Sequence, residues 1–166
     1  MAKMDTQQYE GMMPAAALVM GGLDFGRERL TAAIKDLTPE QLLKKPAGFK
    51  NNIATLVLHI GSNEVGFSHR IMGRTVSDEL KAEYLVHVPG QPLSSPETAD
   101  AADLIAKLDQ SRGFVLQALQ GLTEADLGKE FQLGPERSAT IRWMLAIHQN
   151  HQMQHYGHIQ MIIQHL

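Results

Sequence analysis

The arrangement Leu-Thr, two residues, an amide or acid, then Leu occurs twice in this chain, each time at the end of a long helix-forming stretch. It reads Leu37-Thr38-Pro39-Glu40-Gln41-Leu42 in the first half and Leu122-Thr123-Glu124-Ala125-Asp126-Leu127 in the second. Thr followed three residues later by Gln is the capping-box pattern, in which side chains satisfy the free amides of a new helical turn. Each half therefore reads as long helix, capped turn, long helix, a two-fold internal repeat. Such a repeat places the second and fourth long helices in equivalent positions of a four-helix bundle, where sites form between facing helices.

The four long segments follow from apolar spacing and punctuation. The first spans about 7–34, with Leu18, Leu23, Leu30 and Ile34 at helical spacing and Gly21-Gly22 weakening its middle. The second follows the cap residues Asn51-Asn52 and runs from Ile53 to about Met72. Ser95-Pro96-Glu97 predicts the start of the third, with Ser as cap and Pro at the first helical position, ending near Gln120. The fourth is expected from about Ser138 to the C-terminus. Residues 73–95 form a long connection containing Tyr84-Leu85-Val86-His87-Val88, read either as the rim of a site or as a crossover with one extended stretch. The expectation is one all-α domain over residues 1–166.

Several function classes are excluded or disfavoured by composition. The 166 residues contain no cysteine, which removes disulfides, thiolate nucleophiles and cysteine-ligated metals. The segment Met1-Ala2-Lys3-Met4-Asp5 lacks the apolar stretch of an export signal, and no apolar run approaches the roughly 20 residues of a membrane span. A cytoplasmic location away from membranes is expected. Net charge is −3, and the densest basic spots, Lys44-Lys45 and Arg70 with Arg74, are small. Nucleic-acid binding draws on a larger basic surface, so no nucleic-acid partner is expected.

Of eight histidines, those at positions 148, 151, 155, 158 and 165 fall in the last helix. Ile141, Met144, Leu145, Ile159, Ile162, Ile163 and Leu166 define the apolar stripe of that helix at about 100° per residue. His148 and His155 lie inside the stripe and His151 at its edge. Burying imidazoles costs free energy unless each finds a partner. Residues i and i+4 share a helix face, so His151 and His155 can ligate one metal ion; hydrogen-bonded core histidines are the alternative. A third ligand must come from elsewhere.

The second helix carries His59 on the flank of its stripe of Ile53, Leu56, Val57, Ile60, Phe67 and Ile71. Glu64 falls near the middle of that stripe. A carboxylate there is paired, protonated or part of a site. Two readings stand: a residue of the metal pocket that orients a ligand or accepts a proton, and a salt bridge to a base on a neighbouring helix.

The stretch 52–60, Asn-Ile-Ala-Thr-Leu-Val-Leu-His-Ile, followed by Glu64 and Ile71-Met72-Gly73, resembles the second helix of the DinB/YfiT-like proteins. Thr140-Ile141-Arg142-Trp143-Met144-Leu145 and His151-Gln152-Met153-Gln154-His155-Tyr156-Gly157-His158-Ile159 resemble the C-terminal signature of that family. The resemblance implies a four-helix bundle in which His59, His151 and His155 bind one divalent metal. It also implies dimers in many members and, in one branch, transferase or isomerase chemistry that uses bacillithiol, mycothiol or glutathione. This chain departs at His158, where the family signature has Gln. His148 and His158 are then candidates to line the pocket or back the ligands, with His148 also able to replace His151.

Three protein ligands leave a coordination position open, as in catalytic sites. The expected function is a metal-dependent enzyme acting on a small molecule, a thiol-dependent S-transferase using an external thiol. Metal-dependent hydrolysis, a non-catalytic metal-binding stress protein and a metal-free interaction domain are the rivals. Imidazole donors suit zinc, nickel, iron or copper.

Overall fold

Asn52 accepts a hydrogen bond from the Thr55 amide and so opens the most deeply buried helix of the molecule, α3 (Ile53–Ile71). Its expected stripe is buried apart from half-exposed Ile71, and Ala54, Thr55, Leu58 and Val65 on its other faces are buried as well. Three long helices surround it in the computed structural model, which describes residues 9–87, 90–134 and 136–166. These are α1 (Pro14–Ile34), α5 (Ala101–Gln120) and α6 (Ile141–Ile163). α3 packs on α5 and α6, and α1 packs on the same two from the opposite corner. The expected four-helix bundle is what forms, and α3 and α6 face each other directly. No helix among the described residues is long and apolar enough to cross a membrane.

Both Leu-Thr turns are capped as expected. Thr38 and Gln41 form a reciprocal box at α2 (Pro39–Leu43), and Thr123 and Asp126 do so at a 3₁₀ turn over Glu124–Gly128. The Asp126 carboxyl, held by Lys129 and then Thr123, lies well below its ordinary pKa. A short helix, α4 (Asp78–Glu83), interrupts the long connection. Tyr84 after it is fully buried and donates to the Lys107 carbonyl at 2.7 Å, while Leu85 takes a left-handed φ of 46°. The expected extended stretch is therefore a turn over 84–85; Val88 lies outside the described residues.

Three helix boundaries differ from expectation. Ser95 does not start the third helix, because its hydroxyl accepts from the Asn52 amide at 2.9 Å; Asp100 caps α5 by accepting from the Asp103 amide. Ser138 belongs to a hairpin, β1 (Glu130–Gly134) and β2 (Arg137–Thr140), and Thr140 caps α6. α1 starts at Pro14, and the start expected near Gln7 lies outside the described residues, as does the 1–5 segment. Leu18 is 64% exposed, and Ala16 and Met20 fill the core in its place.

Gly22 and Gly26 bring α1 against α6. A Cβ on either would collide with the amide of Gln149 or Gln152, so the glycines that weaken the helix locally permit close contact between helices. The apolar interior divides in two. One half gathers Leu30, Ile34, Leu42, Ile60, Leu108 and Ile159; the other gathers Leu23, Phe67, Val115, Leu119, Met144 and Leu145. Between them lies a layer of polar side chains drawn from all four long helices.

Candidate metal centre

Glu64 anchors that polar layer. Its Oε2 accepts from Arg27 Nη2 at 2.7 Å and from Ser111 Oγ at 2.5 Å. Its Oε1 accepts from Arg112 Nη2 at 2.6 Å and Nε at 3.1 Å. Arg112 also pairs with Asp24 and donates to Gln152 Oε1 at 2.8 Å, and Gln152 Nε2 donates to the Leu23 carbonyl at 2.8 Å. Burial alone would raise the pKa of Glu64, but Arg112, Arg27, His148 and Ser111 outweigh it and hold the carboxyl ionised. The pocket role expected for Glu64 therefore gives way to the ion-pair role. Both oxygens are occupied by fixed donors, and the depressed pKa disfavours proton uptake. The partners sit 37 and 48 residues away on α1 and α5.

The three histidines meet beside this layer. His59 on α3 brings Nε2 to 3.1 Å from His151 Nε2, and His155 Nε2 lies 3.0 Å from the same atom. One donor atom from each of the three lies within 4.8 Å of the others. An ion about 2.0–2.1 Å from three nitrogens at tetrahedral or octahedral angles sets them roughly 2.8–3.4 Å apart. Two of the three spacings, His59–His151 and His151–His155, fall in that range, and the third is within 4.8 Å. Hydrogen bonding satisfies the rings less well: one nitrogen with at most one proton faces two others, and His155 Nδ1 is buried with no partner among the described residues. Burial, then the neighbouring imidazoles, push His59, His151 and His155 down to about 4, so the rings are neutral at pH 7 with lone pairs free. The residues fit a divalent metal.

His148 is buried and stacked flat on Phe67, with ring centroids 4.3 Å apart, and its ring is outside the convergent trio. It borders the cavity that leads to the site. His158 is exposed, its ring centroid 5.6 Å from that of His155. Neither replaces His151.

That cavity encloses about 300 Å³ between α3, α6, the 86–87 segment and β1. Its lining runs along α3 from His59, with His151 beside it, to Arg70 eleven positions on, and Phe67, Trp143 and Ile147 form an apolar wall. Sequence reasoning missed three of its residues. Asn63, one turn after His59, donates to the His59 carbonyl at 2.8 Å and lies 3.2 Å from its Nε2. His87 sets its ring perpendicular to that of His59, centroids 6.0 Å apart. Trp143 is 42% exposed on the cavity wall. The i+4 spacing of Asn63 was a signal, and His87 belongs to the segment that the sequence allowed as a rim, although its own placement depends on the turn at Leu85.

The sequence pattern of the DinB superfamily matches residues 23–159, which spans the bundle and all three histidines. The chain belongs to the DinB superfamily. In fold it is similar to a conserved protein from Enterococcus faecalis known from a crystal structure. The TM-score is 0.72 at 15% identity, over 90% of this chain and 95% of that one. At that identity the likeness concerns the fold alone. No curated protein matches the sequence. In this DinB-superfamily chain, the three-histidine cluster compatible with a metal thus lies inside the matched region.

Proposed function

We propose that this chain is a metal-dependent enzyme that joins an external low-molecular-weight thiol to a small electrophile. A divalent ion is held by Nε2 of His59, His151 and His155. The observation that carries the reading is the convergence of three imidazole nitrogens, two of whose rings, those of His59 and His151, line an open cavity. Bound there by three protein ligands, such an ion supplies a free coordination position and lowers the pKa of a thiol that occupies it. The chain itself brings no thiol, since it contains no cysteine, so the nucleophile comes from outside.

The protein's residues prepare that encounter. Burial keeps the three imidazoles unprotonated, so that no proton has to leave them before ligation. Asn63 lies 3.3 Å from His59 Nδ1, the ring nitrogen left for a protein partner when Nε2 ligates, and Phe67, Trp143 and Ile147 supply an apolar wall beside the reacting sulfur. In the reaction the thiolate sulfur forms a bond to the electrophilic carbon as a halide or similar group departs.

The test uses zinc- or nickel-loaded protein, glutathione and a fluorogenic alkylating electrophile. S-conjugation should run faster than in thiol and electrophile alone, and His155→Ala should abolish the excess. Equal rates with and without the loaded protein, for glutathione and for smaller thiols, overturn the reading. Ester turnover with no thiol present would move the assignment to hydrolysis.

A further inference from the structure

Arg70 is the one member of the small basic spot read from the sequence that borders the candidate site. It lies on the same face of α3 as His59. His59, Asn63, Gly66 and Arg70 follow one another at steps of four, three and four residues, and all four border the cavity. Gly66 lacks a Cβ where one would meet nothing within 4 Å, so the floor between the two ends is open. The guanidinium carbon stands 5.3 Å from the centre of the Phe131 ring, which fixes it beside β1. Among the described residues no carboxylate lies within ion-pair distance of it, whereas Arg27 and Arg112 are both paired.

We propose that Arg70 is the anion-reading end of the cavity and that the small molecule bound there carries a carboxylate at the end remote from the three histidines. This rests on the proposed function for what occupies the histidine end, but the carboxylate contact stands on Arg70 and the cavity. An exposed arginine that borders a cavity with an apolar wall, and has no carboxylate partner among the described residues, offers a two-pronged donor set to a planar anion. Arg70 stands eleven positions after His59, about 16 Å along the axis; the longer arginine side chain reaches back toward the helix start, which leaves a gap on the order of 10 Å. The ligand is thus elongated, with an apolar or weakly polar middle. Lys in place of Arg70 would keep the charge and lose the paired geometry.

Trp143 is the only tryptophan of the chain and forms part of the cavity wall, so its fluorescence reports binding directly. The probes are octanoate and octanol, which differ only in the charged end. Octanoate should bind the protein as isolated roughly tenfold more tightly than octanol, the contrast of one charge-assisted hydrogen-bonded contact. Arg70→Gln should abolish that preference while leaving octanol binding unchanged, and Arg70→Lys should restore part of it. Equal binding of the two probes, or a preference that survives in Arg70→Gln, overturns the proposal. Cobalt-loaded protein titrated with mercaptooctanoate gives the other arm. An unchanged cobalt spectrum would count against thiol binding at the histidines without touching the Arg70 contact.

Discussion

Replacing Glu64 with Gln keeps the side-chain shape and removes one charge from a carboxylate that is 1% exposed. The amide oxygen can still accept from one guanidinium, but the amide nitrogen then faces a second donor. Arg27, 7% exposed, and Arg112, 9% exposed, are left as buried cations with only the more open Asp24 and Asp109 for compensation. Breaking a buried pair by removing one partner costs about 3–5 kcal/mol. A chain of this size loses about 2–4 °C of melting temperature per kcal/mol, so the drop is on the order of 6–20 °C. Thermal unfolding by circular dichroism measures it, with metal content determined on the same samples. The expected outcome is a large fall in Tm with metal content unchanged. A Tm within about 2 °C of the parent, or metal loss at unchanged stability, would refute the ion-pair role and return Glu64 to the metal pocket.

Other parts of the account are open to separate checks. Gly26→Ala should destabilise by about 1–3 kcal/mol in urea unfolding, despite the better helix propensity of Ala. Its Cβ meets Gln152, whose amide is already bound to Leu23 and Arg112, and lies 3.0 Å from Met153 Sδ. Equal or greater stability would show that α1 and α6 are not in close contact there. The metal-free protein should lose stability as pH falls from about 6.5 through 4. The histidine pKa values are lower folded than unfolded, so the unfolded chain binds the extra protons first. The carboxyl of Glu64, also lowered by folding, acts in the same direction at still lower pH. Stability that is flat over that range would contradict the burial of the rings. Light scattering should give the mass of a dimer, with Leu18, Phe25 and Met161 supplying exposed apolar surface; a monomer at all concentrations would refute self-association.

The parts of the fold that were legible in the sequence are those fixed by local chemistry. The two capping boxes need only residues three apart, and the bundle follows from four apolar periodicities. His151 and His155 were legible as a pair because one helix turn joins them. His59 was legible as a residue on the flank of the second helix that could supply a third ligand, and the resemblance made it one, since nothing in its own helix shows that it faces α6. Glu64 was legible as a buried charge, while its partners on α1 and α5 were not, because spacing within one helix carries no record of its neighbours. The hairpin was missed for a related reason. Its half-buried residues, Phe131 and Leu133, alternate over too few positions, and Ser138 and Thr140 look like helix caps. At Ser95 the capping pattern was genuine chemistry directed to another end, since the hydroxyl serves Asn52 instead of α5.

The central claim is that Nε2 of His59, His151 and His155 hold one divalent ion. X-ray absorption at the zinc edge, on protein prepared without a histidine tag and loaded with zinc, tests it most directly. The account predicts about one zinc per chain, with imidazole scattering from three nitrogens at about 2.0–2.1 Å, lost in His155→Ala while the helices remain folded. Failure to take up zinc, or a first shell without imidazole, or an unchanged spectrum in His155→Ala, would contradict it.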